Sequence, residues 1–188
     1  MERILIVSDG EQSRRQLAGL FTQAPLPTVA MAAGGGDARR MLLGAEYDLV
    51  LVNAPLRDEF GHELAVQAAR GGAGVLMLVR AGLEEEAAER VEDYGVLVLP
   101  RPLNRTAFHQ SVRLLQAARR RVEHLLEENR RLREKMEELR IVERAKYVLI
   151  EHLGLTEEQA HRCIEKQAMD RRATRRSVAE GILNTYEA

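Results

Sequence analysis

The chain has 188 residues, a mass of 21.2 kDa, 45% hydrophobic side chains and 30% charged ones. That length allows one large domain or two small ones with a connector, and the apolar content excludes wholesale disorder. The formal net charge is only -1, so any affinity for nucleic acid or membrane must be local, and the single cysteine, Cys163, excludes an internal disulfide framework and a cysteine-rich zinc site.

Met1-Glu2-Arg3 is not followed by a long apolar run, and the apolar runs are far below a membrane span. A soluble cytoplasmic protein is expected. With three Phe, four Tyr and no Trp, a stacking platform for single strands without sequence preference is excluded. Charge is uneven along the chain. Residues 1–110 carry four more acids than bases, residues 111–140 three more bases than acids, and residues 141–188 are balanced. All five Pro lie before residue 103, and no helix breaker follows Pro102 until Gly154. We therefore divide the chain at 1–110, 111–140 and 141–188.

In the first segment apolar bursts alternate with helical patterns. Ile4 to Val7, Thr28 to Met31, Leu49 to Val52, Val75 to Val79 and Val96 to Leu99 are predicted strands. Helices are predicted after Gly10 through Phe21, from Asp37 to Gly44, from Gly61, from Leu83 to Asp93 and from Asn104. Apolar runs without alternation suit strands buried on both faces. Strands alternating with helices imply right-handed crossovers and a doubly wound, five-stranded parallel α/β sheet of flavodoxin-like type. Gly34-Gly35-Gly36 lacks the Lys-Ser/Thr of a phosphate loop and reads as a flexible connection.

Ligands of such sheets gather at the carboxyl ends of the strands, here Ser8-Asp9, Asn53, Val79-Arg80 and Pro100-Arg101-Pro102. With Gly61 eight residues beyond Asn53, this pattern resembles the receiver domain of response regulators over residues 1 to about 118. The resemblance implies an acidic pair after strand 1, a phosphoryl-accepting Asp after strand 3, a hydroxyl after strand 4 and a Lys before Pro after strand 5. Those positions hold Ser8 and Asp9, Asn53, Val79 and Arg101. An amide is no nucleophile, and one carboxylate makes a poor Mg²⁺ site. A degenerate receiver that phosphorylation does not switch is therefore expected. Asp58 is the only nearby alternative acceptor and reads as a solvated loop acid.

From Asn104 the last receiver helix runs on through a heptad pattern. Its a positions are Leu115, Val122, Asn129 and Met136, and its d positions Ala118, Leu125, Leu132 and Leu139. Leu at d, Val at a and one Asn at a favour a parallel dimer in fixed register. In that frame Glu128 faces Arg133 of the partner. A helix packed on the chain's own body is the other reading. Arg119-Arg120-Arg121 is too short for a basic DNA-binding arm and reads as a solvated face.

The last segment reads as three helices. The first runs through Ile150, and Leu153-Gly154-Leu155 breaks it, with Gly154 suited to a left-handed cap. Thr156 caps the second helix, and the third starts near Arg176. His152, His161 and Cys163 do not form a metal set, because residues two apart on a helix point to different sides. Ala145-Lys146, residues 154–160 (Gly-Leu-Thr-Glu-Glu-Gln-Ala), Arg162, Ala168-Met169, Arg172 and Val178-Ala179 together resemble an ANTAR domain, the RNA-binding output module of amidase- and nitrate-type antitermination regulators. Tyr147 stands where that family carries Gly, and offers a stacking ring.

The resemblance implies a regulator that binds paired hairpins in mRNA leaders as a homodimer and prevents termination. Arg171, Arg172, Arg175 and Arg176 put four guanidiniums within six residues, suited to phosphates and unstacked loop bases. Lys146, Tyr147, Arg162 and Lys166 extend that surface, whereas Ala168-Met169 and Val178-Ala179 read as core. The other readings are a DNA-binding transcription regulator and a dimeric adaptor. No enzyme activity, metal or cofactor is expected. Control by a protein partner that sequesters the dimer is expected instead.

Overall fold

In the computed structural model, residues 2–21 and 26–186 are described, and the chain divides into two compact units, Met1–Val122 and Glu123–Ala188. Five strands of the first unit form one parallel sheet: β1 Arg3–Val7, β2 Thr28–Ala32, β3 Leu49–Asn53, β4 Gly74–Arg80 and β5 Leu97–Arg101. Their order is β2-β1-β3-β4-β5, the doubly wound arrangement expected. The strands are apolar on both faces because both faces are covered. One cluster joins Leu5, Val7, Val50, Val52, Val75, Met77 and Val79 to helices α2 (Gly35–Gly44), α3 (His62–Arg70) and α4 (Glu84–Val91). The other joins Ile4, Ile6, Leu49, Leu51, Leu76 and Leu78 to Leu17 of α1 (Glu11–Ala18) and to Phe108, Val112 and Leu115 of α5 (Arg105–Leu153).

Several boundaries differ from the pattern, each for a local reason. Helix α1 ends at Ala18 rather than Phe21, because Gly19 to Phe21 tighten into turns, and Phe21 meets Phe108 edge-on at 5.4 Å. Helix α4 ends at Val91 and a tighter 3-10 turn, Glu92–Tyr94, closes on Gly95 at φ 73°. Strand β5 extends through Pro100 because it lies at the sheet edge, where a missing N–H costs no ladder bond. Helix α5 runs to Leu153 before Gly154 turns left-handed at φ 64°.

Leu115 corrects the heptad. The pattern makes it the first a position of the seam, but it is 8% exposed in the core of the first unit, against the start of β4 at Gly74. Arg119 is also engaged there, with Asp48 Oδ1 at 2.6 Å and the Tyr47 carbonyl at 3.4 Å. The remaining apolar side chains of the stripe, Val122, Leu125, Leu132, Met136 and Leu139, are each more than half exposed. The stretch's resolved ion pairs run Arg130 to Glu127 and Glu134, Arg131 to Glu127, and Arg140 to Glu137.

In the second unit the end of α5 packs with α6 (Glu157–Arg171) and α7 (Arg175–Tyr186). Val142, Ala145, Val148, Leu149, Ala160, Ile164, Ala168, Val178, Ala179 and Ile182 fill its core. So small a core leans on each member. Changing Ile164, 1% exposed, to Ala should cost about 2–5 kcal/mol. A separate, early unfolding transition of this unit in denaturant, with the first unit's transition unmoved, is the expected reading.

Candidate nucleic-acid interface

The candidate interface lies at the corner between α6 and α7. Helix α6 starts in a capping box: Thr156 Oγ1 accepts from the Gln159 N–H at 3.2 Å, and Gln159 Oε1 accepts from the Thr156 N–H at 2.9 Å. The helix ends at Arg172 with φ 50°, a left-handed cap without glycine. Thr174 Oγ1 accepts from the Ser177 N–H at 3.1 Å and opens α7. These two caps confine Arg171, Arg172, Arg175 and Arg176 to one exposed corner.

The four guanidiniums are not equivalent. Arg175 reaches Glu138 Oε1 at 3.5 Å, and Arg176 donates to Glu180 Oε1 at 2.8 Å. Glu180 therefore raises the pKa of Arg176 above its usual value. Arg171, Arg172 and Lys166 have no ion partner among the described residues, although Asp170 is a neighbour in sequence. His161 Nε2 lies 3.3 Å from Glu165 Oε1, and Arg162 pairs with Glu158 at 2.5 Å. Tyr147 is exposed on α5.

Lys146 requires a correction. The sequence places it with the cationic surface, but it is 7% exposed and held by Glu143 Oε1 at 2.7 Å and Glu157 Oε1 at 3.3 Å. Glu143 first, and then Glu157, raise its pKa in spite of burial. It ties α5 to the start of α6 and is shielded from a ligand. Met169 requires the opposite correction: read as core, it is 72% exposed. The buried row of α6 is Ala160, Ile164 and Ala168 at i, i+4 and i+8, and residue 169 falls to its side. Cys163 is partly buried against the core and lies 3.3 Å from Gln167 Nε2.

In the first unit the polar groups at the strand ends are partly spent on one another. Ser8 and Asn53 are buried, and Asn53 Nδ2 donates to Ser8 Oγ at 2.9 Å. Arg101 Nη2 donates to the Ala54 carbonyl at 2.5 Å, and Val79 is wholly buried. Asp9 is exposed. Asn53 Oδ1 and Arg101 Nε have no partner among the described residues. A receiver fold implies Mg²⁺ here, but one exposed carboxylate, an amide spent on a serine and a guanidinium do not fit a hard dication.

Asp58, read as a solvated loop acid, has a structural task. Its carboxylate accepts from the Gly35 N–H at 2.8 Å and the Gly36 N–H at 2.9 Å at the start of α2. The glycine run is thus a cradle for an internal anion and not a slack connection. A Cβ on Gly34 would come within 2.8 Å of Asp58 Oδ1, and one on Gly35 within 2.1 Å of Glu59 Oε1. The Gly36 and then the Gly35 N–H hold the Asp58 carboxyl below its usual pKa. A depressed folded pKa means stability that is present above the ordinary carboxyl range and lost as pH falls through the folded value. Asp58→Ala should therefore melt below the parent at neutral pH, and the gap should shrink as pH drops below about 4.

Residues 130–183 match the family model described as the ANTAR domain. The tail is an ANTAR domain. The ANTAR domain's helices α6 and α7 thus carry the cationic corner. Over 184 residues the chain is 29% identical to the transcriptional regulatory protein PdtaR of Mycobacterium tuberculosis, covering 97% of this chain and 90% of that one. The first unit has the receiver fold. It resembles a receiver domain of an HD domain-containing protein from Pseudomonas fluorescens (TM-score 0.57, 19% identity, 65% of this chain and 92% of that chain). It also resembles a CheY-like receiver domain protein from Methanospirillum hungatei (TM-score 0.55, 22% identity, 64% and 98%). The chain joins a receiver fold to an ANTAR domain.

Proposed function

We propose that the chain is a transcription antitermination regulator that binds paired hairpins in mRNA leaders and prevents termination. The observation that carries this reading is the group of cations without ion partners among the described residues, Lys166 on α6 and Arg171 and Arg172 at the α6–α7 corner of an ANTAR domain. Guanidiniums grip phosphates and stack on unpaired bases, which RNA loops offer and duplexes do not. The tested material is the full chain, titrated with a leader RNA containing two hairpins and with duplex DNA of equal length. Tight RNA binding with weak, strongly salt-dependent DNA binding supports the reading; equal affinity for both favours a DNA-binding regulator instead.

The stripe from Val122 to Leu139 supports a parallel homodimer that presents one ANTAR domain to each hairpin. Asn129 lies in that stripe, and the resolved ion pairs of Arg130, Arg131, Glu127 and Glu134 occupy the b, c and f positions, leaving Glu128 and Arg133 for a partner. The chain acts in the cytoplasm, where nascent transcripts are; no helix among the described residues is long and apolar enough to cross a membrane.

Control does not pass through a phosphoryl group. Asn53 brings no nucleophile, Val79 no hydroxyl, and Arg101 is committed to a backbone carbonyl. Incubation with Mg²⁺ and acetyl phosphate should leave the intact mass unchanged; an added phosphoryl group would overturn this part of the reading. A sensor protein that sequesters the dimer until an inducer acts takes the place of the phosphate.

A further inference from the structure

The outer face of α6 carries a side chain that the bundle does not use. Arg162, Lys166 and Met169 follow one another at i, i+4 and i+7, which places them on one side of the helix, away from Ala160, Ile164 and Ala168. Met169 is 72% exposed, an unbranched apolar side chain in a cationic neighbourhood. Lys166, Arg171 and Arg172 have no ion partner among the described residues; on the same helix Glu158 pairs with Arg162, and Glu165 Oε1 lies 3.3 Å from His161 Nε2. Asp170 is the remaining acid on this stretch.

We propose that Met169 is the seat of an unpaired loop base of the bound RNA, with Lys166, Arg171 and Arg172 holding the phosphates beside it. This inference rests on the RNA-binding reading above. The occupant follows from charge complementarity. A protein seated on Met169 alone would leave three cations to be desolvated without partners, whereas an RNA loop supplies both a flat ring and phosphates. A thioether is polarisable and makes favourable contact with a ring. Met169 then touches the base itself and is not a charge contact.

The experiment compares the parent chain with Met169→Ala and Met169→Leu on the same two-hairpin leader RNA across a range of salt concentrations. Because the side chain is exposed, both variants should keep the parent's helicity and melting temperature. Met169→Ala should bind roughly three- to tenfold more weakly, the range of a sulfur–ring contact. Its slope of log affinity against log salt should be unchanged, because no counterion-releasing contact is lost. Met169→Leu, which keeps an apolar platform, should bind within about twofold of the parent. Met169→Ala binding as tightly as the parent would overturn the inference alone. So would a weaker binding with a flatter salt slope, which marks a lost phosphate contact. A parent chain that binds no hairpin RNA would overturn the functional reading, and this inference with it.

Discussion

Changing Lys166, Arg171 and Arg172 together to Ala should weaken hairpin binding far more than changing Arg175 and Arg176. All five cations belong to one bundle, but only the first three have no acidic side chain already in place among the described residues. A cation bound to Glu138 or Glu180 must leave it to meet a phosphate, so part of the gain is cancelled. With about 1 kcal/mol for each exposed charged contact, loss of the first three lowers affinity on the order of a hundredfold. The salt slope should also flatten by about 0.7 to 0.9 for each phosphate contact removed. Filter binding at several salt concentrations reads both quantities. A larger loss from the Arg175/Arg176 pair would show that their ion pairs are not maintained in solution and that the ranking is wrong.

The second large effect belongs to the stripe on α5. Leu132→Asp should abolish self-association, because it would set two carboxylates against each other at the middle of an apolar seam. Sedimentation should show a single chain where the parent shows two. Affinity for a two-hairpin RNA should fall to that for one hairpin, since the second contact is no longer intramolecular. Asn129→Val should act in the other direction on stability. It should raise the melting temperature while relaxing the preference for one oligomeric state. A parent chain that sediments as a monomer at all accessible concentrations would remove the basis for both expectations.

Local pattern sufficed where local causes dominate. Runs such as Leu49 to Val52 are apolar on both faces, and the sheet buries them completely. The capping box at Thr156 and the left-handed Gly154 follow from residue types a few positions apart. What pattern missed depends on partners distant along the chain. Leu115 fits a heptad as well as it fits the receiver core, and only the fold brings it beside Gly74. Arg119 meets Asp48, which no helical spacing announces. Lys146 is drawn inward by Glu157 across a turn, and Asp58 finds the amides of Gly35 and Gly36 on another crossover. Met169 was legible after all: the four-residue step from Ala160 through Ile164 to Ala168 places the next residue off the buried row.

The hydrogen bond between Asn53 and Ser8 at the strand ends bears on any change made there. Restoring an aspartate at Asn53 alone would put a charge where only 9% of the present residue is exposed, beside a serine that offers no metal and a valine that offers no hydroxyl. The charge would be buried without a metal or a hydroxyl to meet it. A carboxylate at one position would therefore need changes at Ser8, Val79 and Arg101 before the strand ends could hold a hard dication.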